Sequence, residues 1–146
     1  MIRRGAIAMG LSLGAGLVVA AAPLAAWAAP VKLAATLNGA SETQPGDLDG
    51  SGGFVATVDA ETNDFCYSLW GVKIGKPTMA HVHSGAAGAS GPPVITIDMT
   101  GKDSDACIAI DMVKLEPIVK NPADYYINIH TADFPAGAVR GQLVKQ

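Results

Sequence analysis

Turn-forming residues interrupt the apolar runs of this chain about every ten residues, too often for a helical bundle and at the spacing of short strands. Its 146 residues include 17 Gly and 9 Pro. From residue 31 onward eight segments are apolar or alternate apolar with polar: Val31–Asn38, Gly52–Asp59, Phe65–Val72, Thr78–His83, Val94–Thr100, Ala106–Val113, Tyr125–Thr131 and Ala138–Lys145. Gly, Pro, Asp and Ser clusters separate them. Such a pattern predicts an all-β fold, an antiparallel Greek-key sandwich or barrel of about eight strands, immunoglobulin-like or superoxide-dismutase-like. A short helical turn is expected within Val113–Lys120, limited by Pro117. Nothing repeats at a fixed period and no linker divides the chain, so residues 29–146 read as one domain.

The first 28 residues have a different character. Met1-Ile-Arg-Arg4 is a short cationic start, Ala6–Ala26 is uncharged and rich in Ala, Leu, Val and Gly, and Ala26-Trp27-Ala28 has the small-x-small form of a signal-peptidase site. Residues 1–28 are therefore expected to be an export signal, which places the protein in the periplasm or outside the cell without stable membrane insertion after cleavage. Without Arg3 and Arg4, 8 of the 10 basic residues face 13 acidic ones, a net charge of −5. That balance gives no basic footprint for nucleic acid. Cys66 and Cys107 are the only cysteines, and in an oxidising compartment they are expected to form a disulfide. Their spacing lacks the C-x-x-C of a redox or metal motif.

Two loops carry glycine for local reasons. The acidic turn Gly46-Asp-Leu-Asp-Gly50 does not have the spacing of an EF-hand loop and offers too few carboxylates to enclose calcium. The stretch Ser84-Gly-Ala-Ala-Gly-Ala-Ser-Gly-Pro-Pro93 lacks the Lys-Ser/Thr of a phosphate loop and leads into a strand. Both read as strand connections.

The chemistry is concentrated in the histidines. Only three occur, two of them in His81-Val82-His83. On a strand His81 and His83 project to one side, and Ala80 and Val82 to the other. The apolar pair belongs to the core, so the imidazoles are expected on the outer face. In Tyr125-Tyr-Ile-Asn-Ile-His130 the same alternation turns Ile127 and Ile129 inward and Tyr126, Asn128 and His130 outward. Were these two strands neighbours, three imidazoles would meet. Neutral imidazole suits copper and zinc, and three protein ligands leave a position for water or another ligand. Met79 shares the face of His81 and adds a thioether that favours Cu(I). Asn128 and Asp133 are candidates to orient a ring from behind. No nucleophile and base pair is evident, because Ser84 and His83 face opposite ways.

The segments Ala80-His-Val-His-Ser-Gly-Ala-Ala-Gly-Ala-Ser-Gly-Pro92, Asn121-Pro-Ala-Asp-Tyr-Tyr-Ile-Asn-Ile-His-Thr131 and Phe134-Pro-Ala-Gly-Ala-Val-Arg-Gly-Gln-Leu143 resemble the chordin-type, or CHRD, domain over Val31–Leu143. The resemblance implies an exported β-sandwich and assigns no activity. His81, His83, His130, Gly137 and Arg140 fall on the family's motif positions, whereas Met79 stands where a small residue is expected. A fainter similarity is to Cu/Zn superoxide dismutase, which also carries a His-Val-His strand and a late Arg that guides the anion; three histidines are too few for its full copper and zinc sets. Arg140 otherwise reads as a brace for turn carbonyls or Asp133. The sequence thus points to an exported module holding one copper ion (zinc second) through His81, His83 and His130, with Met79 as a further ligand and Asn128, Asp133 and Arg140 behind them. A copper redox enzyme and a metal-free adhesion module are the alternatives.

Overall fold

A computed structural model describes residues 29–99 and 103–146; the expected export segment lies outside them. The strands are β1 (Val31–Asn38), β2 (Ser51–Asp59), β3 (Asp64–Val72), β4 (Pro77–Ser84), β5 (Pro93–Ile97), β6 (Asp103–Ala109), β7 (Tyr125–Thr131), β8 (Val139–Gln142) and β9 (Val144–Lys145), with one helix, α1 (Met112–Lys120). The expected antiparallel β fold holds. It takes the form of one sheet in the order β5-β4-β7-β8-β1-β2-β3-β6, with the short β9 beside β1, curled into a half-barrel.

Alternation along the strands builds the core. Leu33 and Leu37 of β1, Phe54 and Val58 of β2, Phe65 and Leu69 of β3, Ala80 and Val82 of β4, Ile95 and Ile97 of β5, Ile127 and Ile129 of β7 and Val139 of β8 all turn to the concave side and are buried. Burying each larger side chain stabilises the fold by roughly 1.5–3 kcal/mol. Edge strands β5 and β6 do not pair. They share a cleft of about 360 Å³ with the start of α1, and α1 supplies Leu115, Ile118 and Val119 to the core.

Three expectations are corrected here. The segment Ala106–Val113 is not a strand throughout: β6 ends at Ala109, and Asp111 caps α1 by accepting from the Val113 N–H at 2.9 Å. An Asp at an N-cap offsets an orphan donor of the first turn, which outweighs the strand propensity of Val113. Pro117 does not limit the helix, which continues to Lys120. Proline removes the bond to the carbonyl of Val113, but that residue is 78% exposed and so faces solvent, while Leu115, Ile118 and Val119 on the buried face hold the turn. The late segment Ala138–Lys145 is likewise split into β8 and β9 at Leu143, which turns into the core.

Cys66 and Cys107 stand opposite each other on β3 and β6 and are joined by a disulfide. It closes a 41-residue separation at one end of the sheet. Replacing both by Ala is expected to lower unfolding stability by about 2–4 kcal/mol, read as a lower urea midpoint with the spectrum of the folded state retained.

Candidate metal centre

The register of β4 against β7 assembles the site. His83 faces Tyr126, His81 faces Asn128 and Met79 faces His130. Directly opposed residues of an antiparallel pair project to the same side, so these six share the face turned away from the apolar core. One strand further, Arg140 of β8 faces Asn128 and Gln142 faces Tyr126. A polar belt therefore crosses three strands, backed by Ala80, Val82, Ile127, Ile129 and Val139.

The imidazoles stand on the outer face of the sheet, as expected, but that face is covered. His83, His130, Asn128, Tyr126 and Arg140 are each at most 9% exposed. Three connections roof it. Arg140 Nη2 donates to the carbonyls of Ala86 (3.1 Å) and Ala89 (2.8 Å), and Gln142 Nε2 to that of Gly85 (2.7 Å), which holds the loop after β4 down on β8. The Asp47 N–H donates to Ala138 at 2.8 Å, seating the loop after β1. The turn after β7 contributes the Pro135 carbonyl. Strand alternation determines which way a side chain points, not what later covers it.

These loops determine the proton on each ring. His83 Nδ1 lies 2.8 Å from the Gly91 carbonyl and His130 Nδ1 lies 3.0 Å from the Pro135 carbonyl. A carbonyl only accepts, so both Nδ1 atoms carry a hydrogen, and in the neutral form of each ring the lone pair falls on Nε2. Gly91 is required for the first contact, because a Cβ there would overlap the Ser84 carbonyl oxygen. His130 Nε2 lies 3.2 Å from His81 Nδ1. His83 Nε2 is buried with no hydrogen-bond partner. One donor atom from each ring lies within 4.8 Å of the others.

Burial, and then the neighbouring imidazoles His130 and His83, hold His81 below the usual histidine range. Burial also lowers His130, against the opposing bond from Pro135 and with help from His83. Metal ligation requires neutral imidazole, and His81 and His130 are biased to that form.

The remaining candidates are placed as follows. Met79 is 47% exposed at the rim beside His130. Asp133 is exposed in the turn after β7, and the bond to His130 Nδ1 comes from Pro135 instead. Asn128 is hydrogen-bonded to the carboxylate of Glu42, not to a ring. Glu42 is the residue that sequence reasoning missed. It enters from the loop after β1, packs against Gly137 (φ 141°) and sits near Arg140. Burial outweighs the attraction of Arg140 and the Asn128 bond and pushes its carboxyl up to about 7. Nothing local in Ser41-Glu42-Thr43 signals this, since its partners lie about ninety residues away.

The molecule is thus an antiparallel β half-barrel that carries a roofed three-histidine cluster on its polar face. The CHRD domain family model matches residues 33–143, and the chain belongs to that family. No curated protein and no solved structure matches it.

The Glu42 carboxyl is protonated more readily in the folded than in the unfolded chain. Its contribution to stability is present below about pH 4.5 and is lost as pH rises through about 7. Glu42→Gln is expected to match the parent near pH 4.5 and to exceed it by roughly 1–2 kcal/mol above pH 7, after allowance for solvent screening. Urea unfolding across that range checks it.

Proposed function

We propose that this chain is an exported metal-binding module that holds one copper ion through His81, His83 and His130, for binding or storage and not for catalysis. The observation that carries this reading is a cluster in which one nitrogen from each of three rings lies within 4.8 Å of the others, together with the buried, unpartnered Nε2 of His83. A buried acceptor without a partner costs about 1–3 kcal/mol, and a cation shared by three lone pairs removes that cost. The donor set of three imidazoles suits copper or zinc, and among divalent ions copper binds such sites more tightly. The thioether of Met79, in register with His130, adds a soft donor at the open rim. Ligation at about 2.0–2.1 Å requires the rings to close by rotamer-scale movement.

Export is supported by the signal-like residues 1–28, by the Cys66–Cys107 disulfide and by membership of a family found in extracellular proteins. No helix among the described residues is long and apolar enough to cross a membrane. A dismutase-like role has less support: Arg140, the residue that would guide an anion, is 2% exposed and committed to loop carbonyls.

Titration of the protein is expected to show one equivalent of copper bound, and His81→Ala/His83→Ala none. At free copper one hundred times the Kd the parent gains about 2.7 kcal/mol of stability, and the double variant gains nothing. Equal binding by the two proteins overturns the reading.

The Gly91 carbonyl is expected to matter through His83 alone. Gly91→Ala displaces that carbonyl, and copper affinity should fall 10–100-fold, the usual consequence of losing an orienting partner. Calorimetric titration of the variant checks this, with an unchanged affinity excluding the role.

A further inference from the structure

We propose that this site favours copper in the monovalent, cuprous state, and that Arg140, acting through Tyr126, is the positioned charge that sets the preference. The proposal rests on the metal-binding reading above. Tyr126 and His83 oppose each other across β7 and β4, and their rings stack 5° from parallel with centroids 4.8 Å apart. The guanidinium carbon of Arg140 lies 3.3 Å from the centroid of the same tyrosine ring. Arg140 is 2% exposed, and its Nη2 is held by the carbonyls of Ala86 and Ala89. A guanidinium does not lose its proton in proteins. A permanent positive charge is therefore fixed one aromatic ring behind a candidate ligand, where little water reaches.

The consequence is electrostatic. The three ligands are neutral rings and bring no negative charge to balance the ion. Glu42 lies near Arg140 but is only partly ionised at neutral pH, so it offsets part of the guanidinium charge. A divalent ion is repelled by that charge twice as strongly as a monovalent one. At an effective dielectric constant of about 20 and a separation of about 10 Å, the difference amounts to roughly tenfold in the ratio of the two affinities. Met79 acts in the same direction by a separate route, because a thioether is a softer donor than water. Arg140 thus has two jobs on one side chain: its N–H groups hold the roof, and its charge biases the ion beneath.

The test compares Cu(I) and Cu(II) affinities, each by competition with a chromophoric chelator of that ion, for the parent, Arg140→Met, Tyr126→Leu and Tyr126→Phe. The parent is expected to bind Cu(I) more tightly, so that its bound couple has a potential above that of free aqueous copper. Arg140→Met should lower the Cu(I) to Cu(II) affinity ratio about tenfold. Tyr126→Leu, which opens the guanidinium to water, should lower it in the same direction, and Tyr126→Phe should retain it. A parent that prefers Cu(II), or a ratio unchanged in Arg140→Met, overturns the proposal while leaving a copper site in place. Should Arg140→Met fail to fold, the parent ratio and the two Tyr126 variants decide. A parent that binds neither ion overturns the metal reading itself.

Discussion

The register of β4 on β7 is the constraint from which the polar face follows. Ala80 opposite Ile129 and Val82 opposite Ile127 are buried on one side of that pair, and His81, His83, Tyr126, Asn128 and His130 are set on the other. Because side chains alternate, a slip by one residue would turn the isoleucines of β7 out of the core and the histidine into it. Exposing two isoleucines alone costs several kcal/mol. Apolar packing therefore holds the imidazole geometry from the opposite face of the sheet. This pairing is non-local, since β5, β6 and α1 intervene and β6 lies at the opposite edge of the sheet.

Given that frame, the loops turn three strand histidines into a prepared donor set. Carbonyls of Gly91 and Pro135 take the Nδ1 hydrogens of His83 and His130, and burial holds His81 and His130 below the usual histidine range. The same roof leaves His83 Nε2, Glu42 Oε1 and Asn128 Oδ1 without protein partners. A chain selected for stability alone would not keep three buried acceptors unsatisfied within one layer. Among the described residues these buried orphan acceptors gather on the polar face, and functional sites are where such unsatisfied groups are tolerated.

What was legible in the sequence divides along the same line. Strand existence and facing came from residues whose neighbours are local: the alternation in Ala80–His83 and in Tyr126–His130 gave both the core side and the histidine side. Failures arose where a specific contact overrode propensity, as with the Asp111 cap that turned Met112–Lys120 into a helix through Pro117. The cover over the histidines was not legible, because Arg140 meets Ala86 and Ala89 only after β8 is laid beside β7. Glu42 was invisible for the same reason, and Asp133 attracted attention as a carboxylate when the orienting atom was a backbone oxygen two residues later. Backbone carbonyls carry no residue-type signal, so the nearest partners of a ligand can be its least readable ones.

The disulfide occupies the other half of the sheet. Cys66 and Cys107 join β3 to β6, while the histidines lie on β4 and β7, with β8, β1 and β2 between the two pairs. This separation has a chemical consequence for any soft metal at the histidines. A free thiolate is a better ligand for a soft ion than imidazole, and two unpaired cysteines elsewhere on the chain would compete with the cluster for it. Oxidation removes that competition and constrains the unfolded chain at once. A compartment oxidising enough to keep the bond is thus also one in which no thiolate of Cys66 or Cys107 competes with the imidazoles for a soft metal.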